Sequence, residues 1–457
     1  MGTAVRLTWI HPEDLIGHEL RQARQDGRDA EAVARRWRDA GGHDAPPMAG
    51  ASAEPAPPRL RRLAEELLDE LASIPSPLAD REPTDLDAVI AACPDWPGAR
   101  LAAPGPDLAD RVHGAWAGRA AGCVLGKPVE KIPREGIRAI AEATGNWPIR
   151  GWFTARGLPD DVAARWPWNR RSASTSLAEN IDGTPEDDDL NFPMLALALL
   201  ERYGTGFGTE DVAQVWLDEL PAGRVFTAER VALRNLLLGL VPPQTAVHRN
   251  PFREWIGAMI RADVYGWVNP GDPARAALLA HRDAVLSHTA NGVYGAMFAA
   301  ALTAMSLTAQ DPEEALAGAL RVVPPESRLA AAVREGAALA RSEREFERVL
   351  DALHARHADL HWVHSVNNAA AVAAALVHGA GDFGASVAAV VSAGWDTDSD
   401  GATVGSVVGG LLGASGIPAR WTDPLRNRVA SSMTGFDAAA FDDLAARTRA
   451  LVPRAAD

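Results

Sequence analysis

Three carboxylates and two hydroxyls fall within five residues, Asp396-Thr397-Asp398-Ser399-Asp400, and Gly401 follows at once. A second acidic run, Glu186-Asp187-Asp188-Asp189, stands just before the apolar stretch Met194 to Leu200. Oxygen-only donor sets of this kind suit Mg²⁺, Mn²⁺ or Ca²⁺ rather than zinc. Four consecutive carboxylates repel one another, and they persist side by side only when solvated, helped by a helix N-terminus, or held by cations. Leu195, Leu197, Leu199 and Leu200 predict a helix buried nearly all round. Carboxylates fixed at the head of such a helix read as ligands in preference to solvated decoration.

Three other readings compete for the late cluster. Asp396-x-Asp398-x-Asp400-Gly401 matches the start of an EF-hand loop, but that loop needs a bidentate Glu at its twelfth position. Counted from Asp396, position nine is Val404 and position twelve is Val407, so the EF-hand fails. The Asp-x-Asp motif of haloacid-dehalogenase-type phosphatases closes a buried strand near the start of its domain; this one lies near the C-terminus and opens a small-residue helix. The plainest reading is a solvated N-cap, since Asp and Ser favour helix starts. One Asp fits that reading; a second acidic cluster upstream weakens it.

The elements that must position these acids are helices. Gly401, Gly405, Gly409 and Gly413 recur every fourth residue, which lays a bare stripe along one side of a helix expected to run to Pro418. Each interior Gly costs roughly 1 kcal/mol against Ala, so close approach of another backbone is expected to offset the cost. Gly114, Gly118, Gly122 and Gly126 repeat the device in a helix that starts near Asp107 and stops at Pro128. Glu130 then sits where that buried helix exits. The Gly126-Lys127-Pro128 step lacks the Gly-Lys-Ser/Thr ending of a phosphate loop. Between the helices, residues 146–171 interleave Trp147, Trp152, Trp166 and Trp168 with Arg150, Arg156, Arg165, Arg170 and Arg171. Aromatic faces and guanidinium groups together could stack a base and pair with phosphate; equally, the Trp residues could pin a long loop to the body. His288 reads first as a core histidine, and residues 310–350 as surface helices with solvated charges.

The 457 residues, 47% hydrophobic with only 6% aromatic, are rich in Ala, Leu and Val and predict a mostly helical protein with a sizeable core. Against 45 basic residues stand 60 acidic ones, a net charge of −15, which argues against general nucleic-acid binding. Cys93 and Cys123 make no disulfide framework and fit reduced, cytoplasmic thiols. The N-terminus lacks the pattern of a signal peptide, and the apolar stretch 401–418 is interrupted by Gly and Ser, so no membrane association is expected. Val5 to Ile10 reads as a short strand, helices are expected through about residue 39 and over Arg59–Ala72, and the Pro/Ala-rich stretch His43 to Pro58 reads as a linker. Residues 1–105 are accordingly expected to be an N-terminal helical extension and 106–457 the main domain.

Taken together, the glycine-spaced helix leading to Pro128-Val129-Glu130, the middle acidic run, and Asp396-Thr397-Asp398-Ser399 with its Gly-rich helix resemble the ADP-ribosylglycohydrolase family from about residue 110 to about 420. The middle motif departs, with Glu186 where the family usually has a hydroxyl. The resemblance implies an all-α fold with two divalent ions, Mg²⁺ or Mn²⁺, held by Glu186, Asp187 and Asp188 from one side and Asp396, Asp398 and Ser399 from the other. It implies hydrolysis of an ADP-ribosyl N- or O-glycosidic bond, with Glu130, Asp188 and Asp398 carrying the catalysis and Asp189 and Asp400 supporting them. The expected partner is an ADP-ribosylated acceptor or a small molecule containing ADP-ribose. Two alternatives remain: the same fold acting on another nucleoside or glycoside, and a catalytically silent relative that binds ADP-ribose or metal.

Overall fold

A computed structural model describes residues 6–45, 50–169 and 172–453. Among these residues every named element is a helix, and the β features are isolated bridges such as Thr184 to Val429. The all-α expectation holds. None of the described helices is long and apolar enough to cross a membrane.

The centre of the molecule is the pair of glycine-striped helices, Leu108–Gly126 and Thr397–Leu412. They run antiparallel: Gly114 meets Gly409 and Gly413, Gly118 meets Gly405, Gly122 meets Gly401, and Gly126 meets Thr397. A Cβ on Gly118 would land on the Gly405 carbonyl oxygen, and a Cβ on Gly405 on that of Gly118. Backbone therefore packs on backbone, and the lost helix propensity is offset by contact that no larger residue permits. The Thr397 hydroxyl donates to the Gly126 carbonyl at 2.8 Å, tying the end of one helix to the start of the other. The late helix stops at Leu412 rather than at Pro418, because Gly413 turns out of it at φ 73°.

The N-terminal segment supplies helices Pro12–Gln25, Glu31–Asp39, Pro58–Ala72 and Leu86–Ala92. Their Leu15, Ile16, Leu67 and Val89 belong to one apolar core continuous with Leu195 and Val407 of the main body. The strand expected over Val5 to Ile10 does not form: the described part, from Arg6, finds no sheet to join. Trp9 instead sets its ring edge-on to Phe252 at 5.4 Å. Val5 and residues 46–49 of the expected linker lie outside the described residues.

Where this segment meets the body there is a buried seam of charge. Arg253 reaches Glu19 at 2.8 Å and Asp26 at 2.9 Å. Arg28 reaches the same two acids at 2.7 and 2.9 Å. Arg328 closes on Glu82 at 2.7 Å and Glu254 at 2.9 Å. Arg328 thus corrects the expectation that residues 310–350 carry only solvated charge.

Candidate active site

The acid-headed helix runs Asp188–Tyr203, with Asp187 as its N-cap: the Asp187 carboxylate accepts the Asp189 backbone N–H at 3.0 Å. The solvated N-cap reading of the late cluster fails: Asp396 is buried and occupies the cap position, but its side chain makes no capping bond. Instead its backbone N–H donates to the Asn368 side-chain oxygen at 3.2 Å, which fixes the entry to the helix. The three helix ends, at Gly126, Asp188 and Thr397, converge, so the two acidic runs act on each other across the gap.

The electrostatics record that convergence. Burial, then Glu130 and Asp187, push the Asp398 carboxyl up to about 8. Burial, then Asp398, Asp189 and Glu130, hold Asp396 well above the usual carboxylate range. Asp188 is raised by burial and then by Asp187 and Asp398. Asp189 is raised by burial and then by the same two neighbours, and Asp400 by burial and then Asp398. Asp187 is the exception. Its burial is overridden by the Lys127 ammonium, which donates to its carboxylate, and the group stays below the ordinary range.

Lys127 leaves the first glycine helix through the short 3₁₀ turn Lys127–Val129. It also donates to the Glu186 carbonyl at 2.7 Å. Arg119, fully buried, donates to the Asp189 carbonyl and to the Asp263 carboxylate, both at 2.8 Å. Glu130 follows the turn and is held at the rim: Asn169 donates to one of its oxygens at 2.6 Å and Lys131 lies 2.7 Å from the other. Ser399 is buried in the first turn of the late helix, and its backbone N–H donates to Asp398 at 3.2 Å.

Of the expected site residues, Glu130, Asp187, Asp188, Asp396 and Asp398 are brought within electrostatic reach of one another. Glu186 is turned differently. Its carboxylate accepts from Asn191 at 3.2 Å and pairs with Arg224 at 3.0 Å. The Trp-rich loop is pinned to the body. Trp152 donates to the Arg420 carbonyl at 3.0 Å and meets Trp421 at 5.1 Å, while Arg138 lies over Trp147 at 5.3 Å. What the loop delivers to the site is Asn169. Arg170 and Arg171 lie outside the described residues.

Four site groups escaped the sequence reading: Lys127, Arg119, Asn169 and Cys123. The buried Cys123 thiol brings its sulfur, with one oxygen each of Asp187 and Asp189, into a group spanning no more than 4.8 Å. Burial and then Asp187 push that thiol up, so it is protonated beside the carboxylates. Its position one residue past Gly122, on the striped helix that ends at the site, was the available signal.

The donor set fits a divalent cation. Both Asp400 oxygens and one Asp189 oxygen are buried without a hydrogen-bond partner, the latter 3.7 Å from Arg119, which is costly unless a proton or an ion completes them. The remaining donors are hard oxygens, as Mg²⁺ and Mn²⁺ require.

The ADP-ribosylglycohydrolase family profile matches residues 104–454, which takes in both glycine helices and both acidic runs. Fold and match together define an all-α glycosidase-type hydrolase. The chain belongs to the ADP-ribosylglycohydrolase family, whose members act on ADP-ribosylated substrates and are generally dependent on divalent metal. A solved structure described as an ADP-ribosylglycohydrolase-related protein complex aligns over 76% of this chain and 99% of its own, at a TM-score of 0.47 and 21% identity. No curated protein matches the chain.

Proposed function

We propose that this protein is a divalent-metal-dependent hydrolase that removes ADP-ribose from a modified acceptor by cleaving the N- or O-glycosidic bond at the anomeric carbon. The observation that carries the reading is the meeting of Asp188, Asp396 and Asp398 at convergent helix ends, each pushed up by burial and by neighbouring carboxylates. Asp188, Asp396 and Asp398, with the Ser399 hydroxyl, would hold Mg²⁺ or Mn²⁺. When bound, such an ion lowers the pKa of a coordinated water and fixes neighbouring sugar hydroxyls.

This chain's own residues supply the rest. Glu130, fixed by Asn169 and Lys131 at the rim, takes a proton from the attacking water as its oxygen bonds to the anomeric carbon. The acceptor departs with the bonding pair and takes up, through Glu130 or solvent, the proton released by the attacking water. The buried acids face the developing positive charge on the sugar ring, a role that a carboxylate pair fills in glycosidases without metal.

The test is release of ADP-ribose from an ADP-ribosylated protein mixture with Mg²⁺, with Mn²⁺ and with EDTA, for wild type and Asp398→Asn. Metal-dependent release that disappears in the variant supports the reading. Metal binding without release assigns the same site to another nucleoside or glycoside.

A further inference from the structure

Resting on that reading of the metal site, we infer that Lys127 takes the place of one of two divalent ions, so that this chain binds a single ion and supplies the second positive charge itself.

The argument starts from what the acids of the middle run already hold. Both Asp187 oxygens are committed: one accepts the Lys127 ammonium, and the other accepts the Asp189 backbone N–H at 3.0 Å. Lys127 is itself buried, 8% exposed, and takes the Glu186 carbonyl at 2.7 Å as a second acceptor. Charge-assisted bonds of this kind in a dehydrated site are the strong ones, and the ammonium has no solvent to retreat into. The Glu186 carboxylate faces outward to Arg224 and Asn191. Two of the three acids on this side are therefore satisfied by protein groups, and Asp188, whose neighbouring charges include Asp398 and Glu130, is the one left to join Asp396, Asp398 and Ser399 as donors to a single ion.

The inner position has the makings of a second cation site that the lysine occupies. The Cys123 sulfur and one oxygen each of Asp187 and Asp189 span no more than 4.8 Å. One Asp189 oxygen, in a residue 2% exposed, has no hydrogen-bond partner, with the Arg119 guanidinium 3.7 Å away. Removing the ammonium leaves Asp187 a buried carboxylate without its counter-charge beside the Asp189 oxygen, and a divalent ion held by the two carboxylates would satisfy both. Lys127 is in these terms a positioning residue: it fixes Asp187 and confines the exchangeable ion to the outer acids.

The experiment counts ions rather than turnover. Full-length protein is equilibrated with Mn²⁺ as the probe, bound metal per chain is measured by dialysis, and electron paramagnetic resonance reports whether bound Mn²⁺ ions are isolated or spin-coupled. The expected result is one equivalent of isolated Mn²⁺ in wild type and in Lys127→Arg, and two equivalents with a coupled signal in Lys127→Met. Two coupled ions in wild type would overturn the inference and leave the metal-hydrolase reading intact. So would one equivalent in a folded Lys127→Met. If that variant does not fold, the wild-type count still decides. No Mn²⁺ bound by wild type would instead remove the metal-site reading on which the inference rests.

Discussion

The molecule buries two dense clusters of charge, and they are built on opposite rules. At the seam between the N-terminal segment and the body, Glu19, Asp26, Glu82 and Glu254 are each met by an Arg: Arg28, Arg253 or Arg328. At the convergent helix ends, Asp188, Asp396, Asp398 and Asp400 share a crowded space in which Lys127 is committed to Asp187. Buried pairs with good geometry hold a fold in one arrangement, although they add less net stability than their Coulomb energy suggests. Buried like charges without partners cost stability and persist where function uses them. The seam holds the architecture; on the proposed reading, a cation completes the acid cluster.

The largest effect should come from breaking the seam. Arg253→Met leaves Glu19 and Asp26 short of a partner in a dehydrated interface, and the loss is expected to be about 3–5 kcal/mol by denaturant unfolding. A variant that unfolds like wild type would mean that the seam is not a structural device.

Next is the pH response of the same seam. Burial raises Glu254 to about 7 against the pull of Arg328, with Asp26 and Glu82 adding repulsion. Gln22 donates to both Asp26, at 2.7 Å, and Glu254, at 3.0 Å, and Asn291 donates to Glu254 at 3.0 Å. A carboxyl whose folded pKa lies above its unfolded one stabilises fully below the unfolded value, near 4.3, and that contribution is lost as pH rises through about 7. Stability should therefore fall by on the order of 2 kcal/mol between pH 5 and pH 8. Glu254→Gln should flatten the profile, measured by unfolding at each pH; an unchanged slope in the variant would assign the proton elsewhere.

The acid cluster should answer a substitution with the opposite sign. Asp400→Leu removes a buried group whose two oxygens lack hydrogen-bond partners. In EDTA its thermal unfolding should show a gain of about 1 kcal/mol, of the size seen when a strained functional site is relaxed. A loss there would show that Asp400 is already satisfied. The smallest effect belongs to Arg224→Ala. Arg224 is half exposed and pairs with Glu186 near the surface, so stability and metal binding should change by less than about 0.5 kcal/mol. A marked fall in metal affinity would return Glu186 to the ligand set.

Much of the acid cluster could be read from sequence because its signals are local. The two acidic runs and the fourfold glycine spacing each lie within a single helix or its cap, so the clusters themselves stand out by spacing, while the roles given to Glu130, Asp188, Asp396 and Asp398 came from the family resemblance. Their counter-charges were harder to see. Lys127 lies 60 residues from Asp187 and Arg119 lies 144 from Asp263, and nothing in the run Gly126-Lys127-Pro128 says which carboxylate the lysine will meet. The seam was hidden for the same reason, since Arg328 and Glu82 are 246 residues apart. Arg328 begins a helix whose other charges are mostly exposed, so its amphipathic pattern suggested solvent. The Trp-rich loop carried two readings in sequence because aromatic and guanidinium groups serve stacking and pinning alike. Packing of Trp152 on Trp421 realises the pinning.

The contrast between the two clusters comes down to whether a cation completes the acids. Thermal unfolding of wild type and Asp398→Asn, each titrated with Mn²⁺, tests it without a substrate. A ligand that binds only the folded state should stabilise wild type by about 2.7 kcal/mol at a hundred times its Kd, and Asp398→Asn should show no comparable rise. Equal stabilisation of the two proteins, or none in wild type, would contradict the assignment of the convergent helix ends as a metal site.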